Sequence, residues 1–106
     1  MGTHKVIFTI RARDDLRSTV IFVAKQSNPE IAERFGTALL EKALSLADLP
    51  ERGRVLPELE NVLVREIFFK SYRIVYRLRG STVEVIRFWH AARGTPKIDS
   101  DEFGRV

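Results

Sequence analysis

Residues 65–93 read REIFFKSYRIVYRLRGSTVEVIRFWHAAR. Apolar runs at residues 62–69, 72–78 and 82–89 are separated by two-residue breaks, Lys70-Ser71 and Gly80-Ser81. Runs rich in β-branched and aromatic residues joined by two-residue breaks predict an antiparallel meander with tight hairpins. Gly80 at the first central position suits a type II′ turn.

Two-residue turns fix a register. Phe69 should face Tyr72, Ile67 face Ile74 and Leu63 face Leu78; in the next pair Leu78 should face Val83 and Tyr76 face Val85. Alternation puts these residues on one face of the sheet, the face assigned to helices. The opposite face then carries Val64, Glu66, Phe68, Arg73, Val75, Arg77, Glu84, Ile86 and Phe88. Arg77 opposite Glu84 predicts a cross-strand ion pair, worth at most ~1 kcal/mol if exposed. A solvent face should be mostly polar, yet this one holds Val64, Phe68, Val75, Ile86 and Phe88. An apolar patch with a charged rim, Arg77 included, marks a partner-binding surface. Arg65 and Arg87 fall on the helix side by parity. Either they extend to solvent at the sheet edge, or the register slips by one residue.

Upstream, residues 5–10 (KVIFTI) read as a first strand. Asp14 or Asp15 then begins a helix in which Leu16, Val20, Val23 and Ala24 share a face. Asn28-Pro29-Glu30 opens a second helix with an N-cap, a proline at its first position and an acidic first turn. Its apolar stripe is Ala32, Phe35, Leu39, Ala43 and Leu46, and Pro50 stops it. The short link between the helices implies an αα-hairpin. Residues 50–61, PERGRVLPELEN, read as a loop. The expected architecture is α+β: a strand, a helical hairpin, then three antiparallel strands completing one sheet with the helices on one face. Residues 1–97 form one domain and residues 98–106 a polar tail.

A chain of 106 residues suffices for one core. It has no cysteine, which excludes disulfides, thiol nucleophiles and cysteine metal sites and suits a reducing cytoplasm. No run reaches transmembrane length, and residues 1–10 lack the apolar core and cleavage site of a signal peptide. The net charge of +4 is concentrated: residues 65–97 carry eight basic and two acidic side chains. Such a field suits an acidic partner, nucleic acid or protein.

No phosphate-loop, dinucleotide, zinc-protease or nucleophile-elbow motif occurs, so no cofactor is implied. His4 and His90 are too few and too far apart for a metal site. What remains is Arg73, Arg77, His90 and Arg93, with Tyr72 and Tyr76 beside them. RNA cleavage through the 2′-hydroxyl needs a base, an acid and cations for the phosphate. His90 could serve as base or acid, and Arg73 with Arg93 could clamp the phosphate. The alternative makes His90 a polar strand-end residue and the arginines part of a protein interface.

Taken together, NPEIAERF, LPERGRVLPEL, REI and YRIVYR resemble the RelE/ParE superfamily of type II toxin–antitoxin toxins, most nearly its ParE branch. The resemblance spans roughly residues 6–93. It implies a growth inhibitor neutralised by a cognate antitoxin whose C-terminal segment wraps the toxin. ParE-like members inhibit DNA gyrase; RelE-like members are ribosome-dependent mRNA endonucleases. In the nuclease branch Arg73 matches a catalytic arginine, Arg93 loosely matches a second, and His90 stands where related ribonucleases place a histidine. The lysine-rich stretch before the YR strand is absent here, and the C-terminal tyrosine has no counterpart beyond Phe103. These departures favour a gyrase-directed toxin over an enzyme. A non-toxic binding module on the same scaffold is the third reading.

Overall fold

The computed structural model describes residues 4–59 and 62–98. Strand β1 (Lys5–Phe8) leads into helices α1 (Ile10–Gln26) and α2 (Pro29–Leu44), and a 3₁₀ turn (Ser45–Ala47) extends the second. Strands β2 (Arg54–Val55), β3 (Val64–Phe69), β4 (Tyr72–Arg79) and β5 (Thr82–His90) follow, then a 3₁₀ turn at Ala91–Arg93. The sheet order is β1-β5-β4-β3-β2. β1 runs parallel to β5, and the other neighbours are antiparallel. The α+β class, helical hairpin and meander agree with the sequence reading. β2 is an addition: inside the proline-flanked loop, Arg54 pairs with Glu66 and Val55 with Arg65.

α1 begins earlier than its aspartates indicate. Thr9 has extended backbone geometry, and its Oγ1 accepts the N–H of Ala12 at 3.1 Å, so it is the N-cap. α2 starts as expected, with Asn28 Oδ1 accepting the N–H of Ile31 at 2.9 Å and Pro29 at the first position. The stripe Ala32, Leu39, Ala43 and Leu46 is buried. Leu39, Ala43 and Leu46 pack with Ile67, Tyr72, Ile74, Tyr76, Val83 and Val85 of the sheet. Removing these side chains from water is the main stabilising term, about 2 kcal/mol for each large aliphatic one.

Both hairpins hold the expected register as far as Tyr76–Val85. In each turn the first central residue has a positive φ, Lys70 (52°) and Gly80 (59°), as type II′ requires. Beyond Val85 the register breaks: Tyr76 pairs with Val85 but Val75 pairs with Arg87, leaving Ile86 as the extra residue of a β-bulge. The bulge reverses the parity of the end of β5. Phe88, expected on the open face, therefore enters the helix-side core, where its ring stacks on Phe8 at 6.2 Å between centroids. Arg87, expected on the helix side, faces away with Val75. Arg65 keeps its parity and reaches the sheet edge, donating to the carbonyl of Gly53 at 2.9 Å.

The open apolar patch needs a larger correction. Val64, Val75 and Ile86 are fully buried and form a second small core with Leu56, against which Ile98 packs. The loop before β3 and the segment after Gly94 thus cover the far face with the chain's own residues. Of the five expected patch residues only Phe68 stays open, at 48% exposure. Ile98, expected in the tail, belongs to this layer; residues 99–106 lie outside the described residues.

Candidate functional site

The far face gathers charge around its small core. Arg73 lies between Phe68 and Trp89 in the sheet register. Its Nε donates to Glu66 Oε1 at 2.5 Å, while Nη2 and Nη1 form a fork with Glu58 Oε1 and Oε2 at 2.9 and 3.1 Å. Glu66 is buried and also accepts Arg54 Nε at 2.6 Å. The chain Arg54–Glu66–Arg73–Glu58 is therefore closed upon itself, which is what buried charges require. The Glu58 fork is the largest influence holding Arg73 protonated, against the opposing effect of burial. In return Arg73 holds the Glu58 carboxyl below its ordinary range. The expected Arg77–Glu84 pair forms next to it, Nη2 to Oε1 at 3.1 Å, with Glu84 buried.

His90 stands on the other face. Tyr72 faces the helices and pairs with His90, so Arg73, the next residue of β4, points to the other face. The Tyr72 and His90 rings meet edge to face at 4.9 Å. His90 Nδ1 accepts the N–H of Ala92 at 3.1 Å, which leaves Nε2 as the donor of the neutral ring. Arg93 lies over the Trp89 ring at 4.0 Å, and Arg87 approaches the same ring at 4.9 Å. His90 and Arg93 line an open pocket of about 390 Å³ between α1 and the end of β5. Of the predicted catalytic trio, His90 and Arg93 share this pocket, while Arg73 lies outside it among carboxylates, its Nη1 3.4 Å from the carbonyl of Gly94.

The α1 side of the pocket wall is not among the site residues expected from the sequence. Asp15, Ser18, Thr19 and Phe22 line it from α1, and Tyr72 and Phe88 from the sheet. The signal was present, since positions 15, 18, 19 and 22 form one helical stripe. Asp15 is not a helix cap. Its carboxylate accepts Arg87 Nε and Nη2 at 2.7 and 2.9 Å and the N–H of Phe88 at 3.0 Å. It thereby satisfies the strand edge that β1 leaves uncovered past Val85.

Residues 6–94 match the family model described as ParE toxin of type II toxin-antitoxin system, parDE. This chain belongs to that ParE toxin family. Among its relatives is "Toxin RelE1" of Caulobacter vibrioides, 36% identical over 89 residues, which span 83% of this chain and 94% of the relative. "Toxin RelE2" of the same organism is 36% identical over 90 residues, covering 84% and 97% of the two chains. A ParE fold is also seen in the solved chromosomal ParDE system from P. aeruginosa: TM-score 0.73, 18% identity, covering 85% of this chain and 98% of that one. The toxin–antitoxin complex RelBE2 from Mycobacterium tuberculosis superposes with a TM-score of 0.59 at 27% identity, covering 83% and 98%. This ParE family member is therefore a type II toxin of the ParE/RelE superfamily. No helix among its described residues is long and apolar enough to cross a membrane.

Proposed function

We propose that the chain inhibits growth by binding a protein target, DNA gyrase, and that a cognate antitoxin neutralises it. The observation that carries this reading is the engagement of Arg73. Its guanidinium is held by Glu58 and Glu66, so a phosphate reaching it must displace one carboxylate and sit beside a second. That is a structural arginine, and without it the cleavage constellation loses a cation. The family match to ParE toxins supports the same branch. Purified toxin at saturating concentration should abolish supercoiling by purified gyrase; undiminished supercoiling would remove the reading.

The antitoxin has an accessible anchor in Phe68. This half-exposed ring has the Arg54 guanidinium 5.3 Å from its centroid, so an apolar residue with a neighbouring carboxylate on the partner would match it. The solved relatives described as a ParDE system and a RelBE2 complex are toxin–antitoxin assemblies, which supports a partner of this kind.

RNA cleavage on the ribosome is the second reading, favoured by the union of His90 and Arg93 in an open pocket and by relatives named RelE. Primer extension on translated mRNA after induction separates the two. Codon-linked cuts that disappear in a His90→Ala, Arg93→Ala double variant support cleavage; intact mRNA in arrested cells excludes it.

A further inference from the structure

A second cleft opens at the end of β4 away from His90. It holds about 670 Å³, and its apolar wall is Leu49, Pro50, Leu63 and Leu78. Leu49 is 61% exposed and Leu63 50%. The N–H of Leu78 donates to the carbonyl of Leu63 at 2.8 Å, which carries the β3–β4 pairing to the edge of the cleft and anchors that wall. Large aliphatic side chains exposed around a concave surface mark a docking place.

The chain itself leads toward this cleft. After the turn at Ala91–Arg93 it runs back along the far face. The carbonyl of Gly94 accepts Trp89 Nε1 at 3.0 Å, and that of Lys97 accepts Arg87 Nη1 at 2.7 Å. Ile98 then packs on the small core of Leu56, Val64, Val75 and Ile86. The order Trp89, Arg87, Ile86 descends β5 toward the Gly80-Ser81 turn. Val64 is the chain neighbour of Leu63, and adjacent strand residues face opposite sides of a sheet. Ile98 therefore lies across the sheet from the cleft. Layers stack about 10 Å apart, and a five-residue segment, 99–103, extends to about 17 Å.

The residues that follow Ile98 have matching chemistry. Positions 99–103 read Asp-Ser-Asp-Glu-Phe, three carboxylates and then a large apolar ring. Arg79 lies next to Leu78 and Gly80 of the cleft, exposed at the end of β4 and on the far face by alternation with Arg77. It has no carboxylate partner among the described residues. Within the cleft wall Arg52 offsets the one acid, Glu51. A second copy of the chain would bring a net charge of +4 to the same basic corner, which disfavours it as the occupant.

We propose that residues 99–103 clasp this end of the sheet: their carboxylates meet Arg79, and Phe103 fills the cleft beside Leu49, Leu63 and Leu78. The acidic segment is thus a built-in cover for an apolar corner of the toxin. The clasp rests on neither the gyrase nor the RNA reading, since it stands at the opposite end of β4 from the partner of His90.

Disulfide trapping tests it cleanly, because the chain has no cysteine of its own. Leu63→Cys with Phe103→Cys, in the full chain at micromolar concentration, should form an intramolecular disulfide under mild oxidation. It should do so at least roughly tenfold faster than the control pair Lys25→Cys with Phe103→Cys, whose α1 position follows Phe22 at the other end of the sheet. Adding Asp101→Asn and Glu102→Gln should slow trapping severalfold, as should ~1 M salt, where charges are screened within about 3 Å. NMR supplies a check without cysteine: Phe103→Ala in the full chain should move the amides of Leu63 and Leu78 and leave those of residues 15–22 in place. Equal trapping rates for the two pairs overturn the proposal, as do unmoved Leu63 and Leu78 amides. Disulfides formed only between two chains assign the cleft to a second copy and overturn it as well.

Discussion

The hydroxyl of Thr9 donates to the carbonyl of Ile86 at 2.9 Å across 77 positions of sequence. The same oxygen caps α1 by accepting from Ala12. One side chain thus sets where the helix begins and holds the bulge that decides which way Arg87 and Phe88 point.

Thr9→Val keeps the shape and removes both bonds. A lost N-cap and a lost buried hydrogen bond together predict about 2 kcal/mol of destabilisation. Urea denaturation of the two proteins measures it, and a midpoint equal to wild type would show that the bulge needs no anchor.

The Glu58–Arg73 fork makes stability depend on pH. Glu58 titrates below its ordinary value in the folded chain because Arg73 hydrogen-bonds its charged form. The stabilisation is therefore fully present above the unfolded-state value and is lost as pH falls through the lower folded value. Glu58→Gln should be less stable than wild type at about pH 7, and the difference should shrink as pH falls below the ordinary carboxylate range. Denaturation midpoints across that range give the answer; a gap independent of pH would contradict it.

Gly53→Ala should destabilise by about 2 kcal/mol through steric crowding. A Cβ there would lie 2.6 Å from the carbonyl oxygen of Glu66 and collide with the Tyr76 hydroxyl. That hydroxyl already accepts from Gly53 N–H at 3.0 Å and donates to Pro50 at 2.7 Å. Because the Glu66 contact is backbone, adding Tyr76→Phe should not rescue the variant in a thermal melt.

Phe68→Asp should leave the melting transition unchanged, since the ring is half-exposed, yet weaken antitoxin binding by roughly tenfold or more. Isothermal titration with purified antitoxin tests it. Unaltered affinity would place the contact on another face.

The meander was legible because two-residue turns leave little freedom: Phe69–Tyr72 and Leu78–Val83 pair as the spacing requires. The bulge was not. Val83, Val85, Ile86, Phe88 and Trp89 are apolar at both parities, so alternation carries no information where the register slips. The cover over the far face was hidden for a related reason. A single Leu56 in a proline-flanked loop and a single Ile98 near a polar tail have no periodicity to betray them. Of the candidate site, the shared pocket of His90 and Arg93 was not legible from spacing, and the carboxylates around Arg73 lie diagonally across the sheet, where alternation does not point. Glu66 sits two positions from the direct partner of Arg73, within reach across the sheet.

The parallel pairing of β1 with β5 has a consequence for synthesis. Lys5 finds its neighbour only when Thr82 has been made. The helical hairpin, built from contacts close in sequence, can form early, but the sheet closes last and across the longest loop in the chain. In a toxin wired this way the first strand waits, its edge unpaired, until the last strand of the meander has been made.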